Sequence, residues 1–199
     1  NKWNLVLRNK NPKAGEDEAT YAFYRWIWDS LYENKPYDEF VSDLLTASGN
    51  VKFNPPVVWY RPVASAEERV EDSAQLFLGL RIQCARCHHH PFEKWSQNDY
   101  YSFKAFFNRI GVKNQVRQQQ YFAQAELFHN VGKATDRNPR SGTTLVPAGL
   151  GGEPLEIPDE RDPRAYLAEW MSSPENPFFA KSLVNRYWKH FFSRGIVEP

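Results

Sequence analysis

Cys84 and Cys87 are the only cysteines in 199 residues, and they stand in the string Cys84-Ala85-Arg86-Cys87-His88. That C-x-x-C-H order is the attachment signature of a c-type haem. Each part has a chemical reason. The two thiols add across the two vinyl groups of the porphyrin, whose separation the two-residue gap matches. The histidine that follows is then held under the iron, where its imidazole is the proximal ligand. Three other readings use the same residues. Cys84, Cys87, His88 and His90 offer four donors of the kind zinc accepts, although zinc sites usually draw ligand pairs from two separated segments. A redox dithiol fits the cysteine spacing but belongs at the strand-to-helix junction of a βαβ unit, which the flanking sequence does not offer. A disulfide across two residues would constrain the unfolded chain little. Covalent haem accounts for the cysteines and the histidine together.

An iron held by His88 has a sixth position whose occupant decides what the protein does. His89 and His90 adjoin the proximal ligand and do not easily reach the opposite porphyrin face. His190, Met171 and His129 are the other candidates. His190 shares a helix face with Leu183 and Tyr187, and Met171 is the only methionine. Met171 would give the His/Met pairing of soluble electron carriers. Arg186 or Arg194 suits a haem propionate. An open sixth position would instead fit a peroxidase-like haem enzyme, with His190 as acid-base group and Arg186 as charge stabiliser. Both His190 and Met171 also have ordinary packing roles in aromatic helices.

The composition is that of a globular chain able to bury a substantial core, as one large domain or two small ones. With 25 basic and 24 acidic residues the net charge is +1, so no global field points to nucleic acid or to an anionic membrane. No apolar run is long enough to span a bilayer. The 7 Trp, 10 Tyr and 14 Phe would serve a haem crevice or an ordinary core equally. The chain opens and stops in mid-pattern and reads as a mature piece or a fragment, so the lack of a signal peptide says nothing of location.

Hydrophobic periodicity predicts the elements around the motif. A helix over 19–33 carries Tyr21, Tyr24, Trp28 and Leu31 as its apolar stripe, with Phe23 and Ile27 beside them. Asn34-Lys35-Pro36 breaks it, and Pro36 opens a second helix carrying Phe40, Val41, Leu44 and Leu45. The two read as a helical hairpin with an aromatic inner face. Residues 50–64, with Pro55, Pro56 and Pro62, read as an extended connection. Ser65 and Glu68 form a capping box for a helix running through Val70, Phe77 and Ile82 into Cys84. Ser96 with Asp99 caps the next, over 98–109. The motif thus falls between two amphipathic helices that could wall in a macrocycle. Residues 111–161 read as irregular, with two or three short strands and a candidate strand or short hairpin at 121–131. Asp162-Pro163 opens a helix bearing Tyr166, Leu167, Trp170 and Met171, and Asn176 caps a last one over 177–192, closed by Arg194-Gly195. The fold class expected is mostly α. A helical haem domain at 1–110 is followed by an irregular or short-β insertion or linker at 111–161. A C-terminal helical segment at 162–199 packs on the first domain.

The stretch 74–101, centred on Cys84-Ala-Arg-Cys-His-His-His-Pro91 and continuing to Trp95-Ser-Gln-Asn-Asp-Tyr-Tyr101, resembles the cytochrome-c-like domain of large secreted planctomycete proteins of unknown function. Residues 162–199, with Asn185-Arg-Tyr-Trp-Lys-His190, are similar to the start of the partner domain that follows it in those proteins, and 36–49 fit the pattern too. The resemblance covers nearly the whole chain except 112–140. It implies an exported protein, periplasmic or extracellular, with Cys84, Cys87 and His88 holding one covalent haem, and it draws attention to His190. It implies no established activity. The family usually has an acidic or amide residue where this chain has His89, which leaves the role of His90 open. Electron transfer outside the cytoplasm is the function expected, with a redox protein or neighbouring haem proteins as partners. A homo-oligomer stays open, nucleic acid is not expected, and a zinc-binding interaction module is the alternative of a different class.

Overall fold

The structure, a computed structural model, describes residues 2–9, 17–89, 91, 94–114 and 125–197. The element at its centre is one the sequence disguises. Residues 50–64 are not simply extended: Pro55–Tyr60 form a 3-10 turn, and Val57, Val58, Trp59 and Tyr60 are all at most 2 % exposed. Two prolines at the start suit a helical turn, because their fixed φ and missing N–H cost nothing there. Helices α2 (Asp17–Tyr32) and α3 (Tyr37–Leu45) pack on this turn, and α1 (Lys2–Val6) lies against α2. The expected hairpin is looser than a paired one, since α2 and α3 both lean on the turn between them and Trp26 stacks on Phe40 at 4.8 Å.

The stripe expected to be the inner face of α2 is its outer face. Ala19, Phe23, Ile27 and Ser30 are buried, whereas Tyr21, Tyr24, Trp28 and Leu31 are exposed. Both rows have helical spacing. Only the neighbour against which the helix lies decides which row is covered.

Helix α4 (Ala66–Ser73) opens with the expected capping box: Ser65 Oγ accepts from Glu68 N, and Glu68 accepts from Ser65 N. Replacing Ser65 with alanine removes the cap and is expected to cost about 1 kcal/mol in a urea denaturation. The helix does not run to Ile82. It widens into a π turn, Ala74–Leu78, and stops at Gly79, whose φ is +71° and where a Cβ would meet Ser182 Oγ at 3.2 Å. Helix α5 (Gln97–Lys104) has its own box from Ser96 and Asp99 and tightens into a 3-10 turn, Ala105–Phe107, short of the expected end at 109.

Residues 111–161 do hold short strands. β1 (Gly49–Asn50), β2 (Ile110–Asn114) and β3 (Ala125–His129) make an antiparallel sheet in the order β1-β3-β2, with Val112 opposite Leu127. β4 (Asp136–Arg137) and β5 (Thr144–Leu145) form a second pair. Residues 121–124 of the strand expected at 121–131 lie outside the described residues. Arg109 pins the irregular stretch by donating to the backbone carbonyls of Asn130, Asp159 and Arg161.

Helix α6 (Pro163–Ser172) packs on α3 and on the 105–107 turn, burying Leu167 and Met171. Its anchor is Arg164, fully buried, which donates to Asp162, to Ala47 O at 2.8 Å and to Tyr60 Oη at 3.0 Å. Helix α7 (Phe179–Phe192) starts two residues later than expected, with Asn176 Oδ1 accepting from Phe178 N and Phe179 N at its entry, and it lies against the π turn. The architecture is mostly α-helical with short antiparallel strands. No helix among the described residues is long and apolar enough to cross a membrane.

Candidate functional site

The Cys-x-x-Cys-His segment begins on a 3-10 turn, Gln83–Arg86, hung between α4 and α5. Gly79 ends the preceding helix, and Leu80 N donates back to Ala74 O, which turns the chain towards the motif. Ile82 is buried, and its carbonyl accepts from Ala85 N at 2.9 Å, closing the turn. Ala85 is fully buried and faces inward. The downstream end is held from α5: Gln97 Nε2 and Tyr101 Oη both donate to Arg86 O at 3.1 Å. Burial pushes the Tyr101 phenol up, offset in part by Lys104 and Arg86, so it stays a donor to that carbonyl. Neither Gln97 nor Tyr101 was singled out from sequence as a residue that positions the motif. Only the fold shows that their side chains end at one carbonyl.

The consequence is a single turn with its chemistry turned outward. Cys87 N and His88 N both donate to Cys84 O at 3.3 Å, so the three residues lie on one hydrogen-bonded turn. Both thiols are free and exposed, and His88 is exposed. The His88 Nδ1 lies 2.6 Å from His89 O. As an Nδ1–H donor it fixes the tautomer that leaves Nε2 with its lone pair for a metal. Two accessible thiols and one free imidazole nitrogen on one turn are the groups that covalent haem attachment requires. His90, the fourth donor in the zinc reading, lies outside the described residues, among which no three His, Cys, Asp or Glu side chains gather as a metal site.

The flanking helices do not wall a crevice with their aromatic faces. Val70, Phe77 and Leu78 on one side and Tyr100, Phe103, Phe106 and Phe107 on the other are packed into the protein's own core, none more than 3 % exposed. The other candidates are dispersed. Arg186 Nη2 donates to Leu76 O at 2.5 Å, in the π turn before the motif, and its guanidinium lies over the Trp3 ring. His190 is exposed and lines a cavity of about 70 Å³ with Lys2, Trp3, Val6, Arg186 and Tyr187, a cavity to which no motif residue contributes. Met171 is 1 % exposed, inside the core. His129 lies 3.6 Å from Asp162 at the start of α6. Arg194 is exposed, just past the end of α7.

Residues 1–112 match the family described as PSCyt2, protein of unknown function (DUF1549), and residues 163–199 match that described as PSD1, protein of unknown function (DUF1553). No curated protein and no solved structure matches the chain. The first match spans more than half the sequence and includes the whole Cys84–His88 turn. The chain therefore belongs to the PSCyt2 (DUF1549) family, and its residues 163–199 are similar to PSD1 (DUF1553).

Proposed function

We propose that the chain is a c-type cytochrome that binds one covalent haem and passes electrons outside the cytoplasm. The observation that supports this is the exposure of Cys84, Cys87 and His88 on one hydrogen-bonded turn. In this reading Cys84 and Cys87 would hold the haem through thioether bonds, and His88 Nε2 would ligate its iron, the imidazole being oriented by the hydrogen bond at its Nδ1. The bound haem would supply a reversible one-electron change at iron, and the chain would supply ligation, orientation and a chosen exposed edge. A periplasmic or extracellular setting follows from where haem c is attached.

His190 is the sixth-ligand candidate of this reading, because its imidazole is exposed, whereas Met171 would have to leave the core. Arg186 is assigned to a propionate and is already held beside the π turn. His190→Ala is then expected to open the sixth position and speed carbon monoxide binding to the reduced protein. Met171→Leu should leave the spectrum unchanged and cost under about 1.5 kcal/mol.

The test of the function is a visible spectrum after expression with a haem-attachment system, oxidised and then dithionite-reduced, followed by acid-acetone extraction. A sharp reduced α-band that stays with the polypeptide is the expected result. A colourless protein that binds zinc stoichiometrically would overturn the proposal.

A further inference from the structure

Gln97 and Tyr101 hold the carbonyl inside the Cys84–His88 turn, but both flanks of that turn are held from much further along the chain. Upstream, the helix that leads to it ends in the π turn, and the last carbonyls of a helix lack N–H partners within it. One of them, Leu76 O, accepts from Arg186 Nη2 at 2.5 Å. A cation suits the negative end of a helix, and this guanidinium is seated over the Trp3 ring, 5.9 Å from its centroid. One turn earlier on α7, Ser182 stands beside Gly79, where the chain leaves the helix with φ +71°. Downstream, Trp95 is buried directly before the Ser96 cap of α5. Phe178, just before α7, meets its ring edge to face, the centroids 5.9 Å apart.

We infer that residues 178–186 are a brace that positions the Cys84–His88 turn, gripping the chain before Cys84 through Arg186 and after His88 through Phe178. The reactive groups sit on a turn and not inside a helix, and a site on such a segment keeps its geometry only if a surrounding shell fixes it. Without Arg186 the Leu76 carbonyl loses its partner and the end of the helix is free to fray. The direction in which Leu80 and Ile82 lead to Cys84 then goes with it. Leu76, Gly79 and Trp95 lie in the part that matches PSCyt2, whereas Phe178, Ser182 and Arg186 lie in the segment similar to PSD1. The second segment thereby sets how the first presents its thiols and imidazole. The inference deepens the cytochrome proposal and rests on it for the haem, but the brace itself consists of contacts that need no haem. Arg186 is also the propionate candidate and Phe178 is not, so position 178 tests the brace alone.

The test is amide hydrogen exchange of the haem-free 199-residue chain. Leu80 N bonds to Ala74 O and Ala85 N to Ile82 O, one on each side of the entry to the motif. Arg186→Met should speed exchange at both by about tenfold, the usual effect of losing a hydrogen bond to a charged group. Phe178→Leu, which keeps an apolar side chain but loses the ring contact, should speed it at Ala85 by about threefold. The β2–β3 ladder should keep the parent's rates, and Arg186→Lys, which still donates to Leu76 O, should restore most of the protection. Expressed with a haem-attachment system, Arg186→Met and Phe178→Leu should each give less holoprotein with the parent's spectrum. Equal acceleration in the turn and the ladder would overturn the inference, because the contacts would then serve folding in general. So would a Phe178→Leu variant that exchanges as the parent does, or a haem yield that falls with Arg186→Met alone, which would leave Arg186 a propionate partner only. A parent that takes up no covalent haem but shows the expected exchange pattern would end the cytochrome reading and uphold the brace.

Discussion

Replacing Cys84 and Cys87 together with alanine is expected to abolish covalently retained haem, leaving no colour in the polypeptide after acid-acetone extraction. Each single replacement should leave one thioether, a lower yield of holoprotein and a shifted reduced α-band. His88→Ala should remove the proximal ligand and with it the low-spin spectrum. The side chains are exposed, so these variants separate chemistry from folding. Surface substitutions usually move stability by no more than about 0.5 kcal/mol, and the thermal transition of the haem-free variants should match that of the haem-free parent. Gln97→Ala is the positioning control, since it removes one of the two donors to Arg86 O. It should lower the yield of haem attachment and leave the spectrum of the loaded fraction unchanged. Colour retained by the double cysteine variant would end the cytochrome reading.

The largest loss of stability is expected at Arg164. Its guanidinium is fully buried and joins α6 to the carbonyl after α3 and to Tyr60 at the central turn. Tyr60 in turn donates to Leu45 O. Burial pushes the Tyr60 phenol up, although Arg164 pulls against it. Tyr60 therefore stays protonated and can accept from Arg164 while donating to Leu45. Breaking a buried pair by removing one partner costs about 3–5 kcal/mol. Arg164→Met should lose that much in guanidinium denaturation, and Asp162→Asn should lose a comparable amount because it leaves the guanidinium without a counter-charge.

The pH dependence of the pair has a definite sign. Burial alone would raise the Asp162 carboxyl, but the hydrogen bonds and charge of Arg164 outweigh it and hold the group below its usual range. A carboxyl depressed in the folded state contributes stability above the unfolded value, near 4, and loses it as pH falls through the lower folded value. Glu67 is depressed in the same direction, its burial outweighed by the Lys104 ammonium. Acid titration of the parent against Asp162→Asn isolates the first contribution. The gap between the two stability curves should close as pH falls below about 4.

Some of this protein is determined locally and can be read in the chain. Ser65 with Glu68, and Ser96 with Asp99, announce helix starts because a short polar side chain can satisfy an orphan N–H only at a helix N-terminus, and both boxes form. Asp162 before Pro163 does the same for α6. The chemistry of Cys84, Cys87 and His88 is also local, since three residues within one turn need no distant partner to be brought near one another. What periodicity could not settle is which of two apolar rows on a helix is covered. On α2 the row of Phe23 and Ile27 faces inward and the row of Tyr24 and Trp28 faces out, because burial depends on a neighbour that lies far along the chain. The same holds for Pro55–Tyr60, where prolines suggest an extended connection and the surrounding helices make it the centre of the core. It holds again for Arg164 meeting Ala47, for Gln97 and Tyr101 converging on Arg86 O, and for His190 facing α1. Contacts between distant residues are set by how helices pack. The reactive residues and the capped helix starts are legible in the chain because each depends on neighbours within a turn. Where α4 and α5 stop, what the reactive turn is anchored to and which aromatic faces remain open depend on how the helices pack.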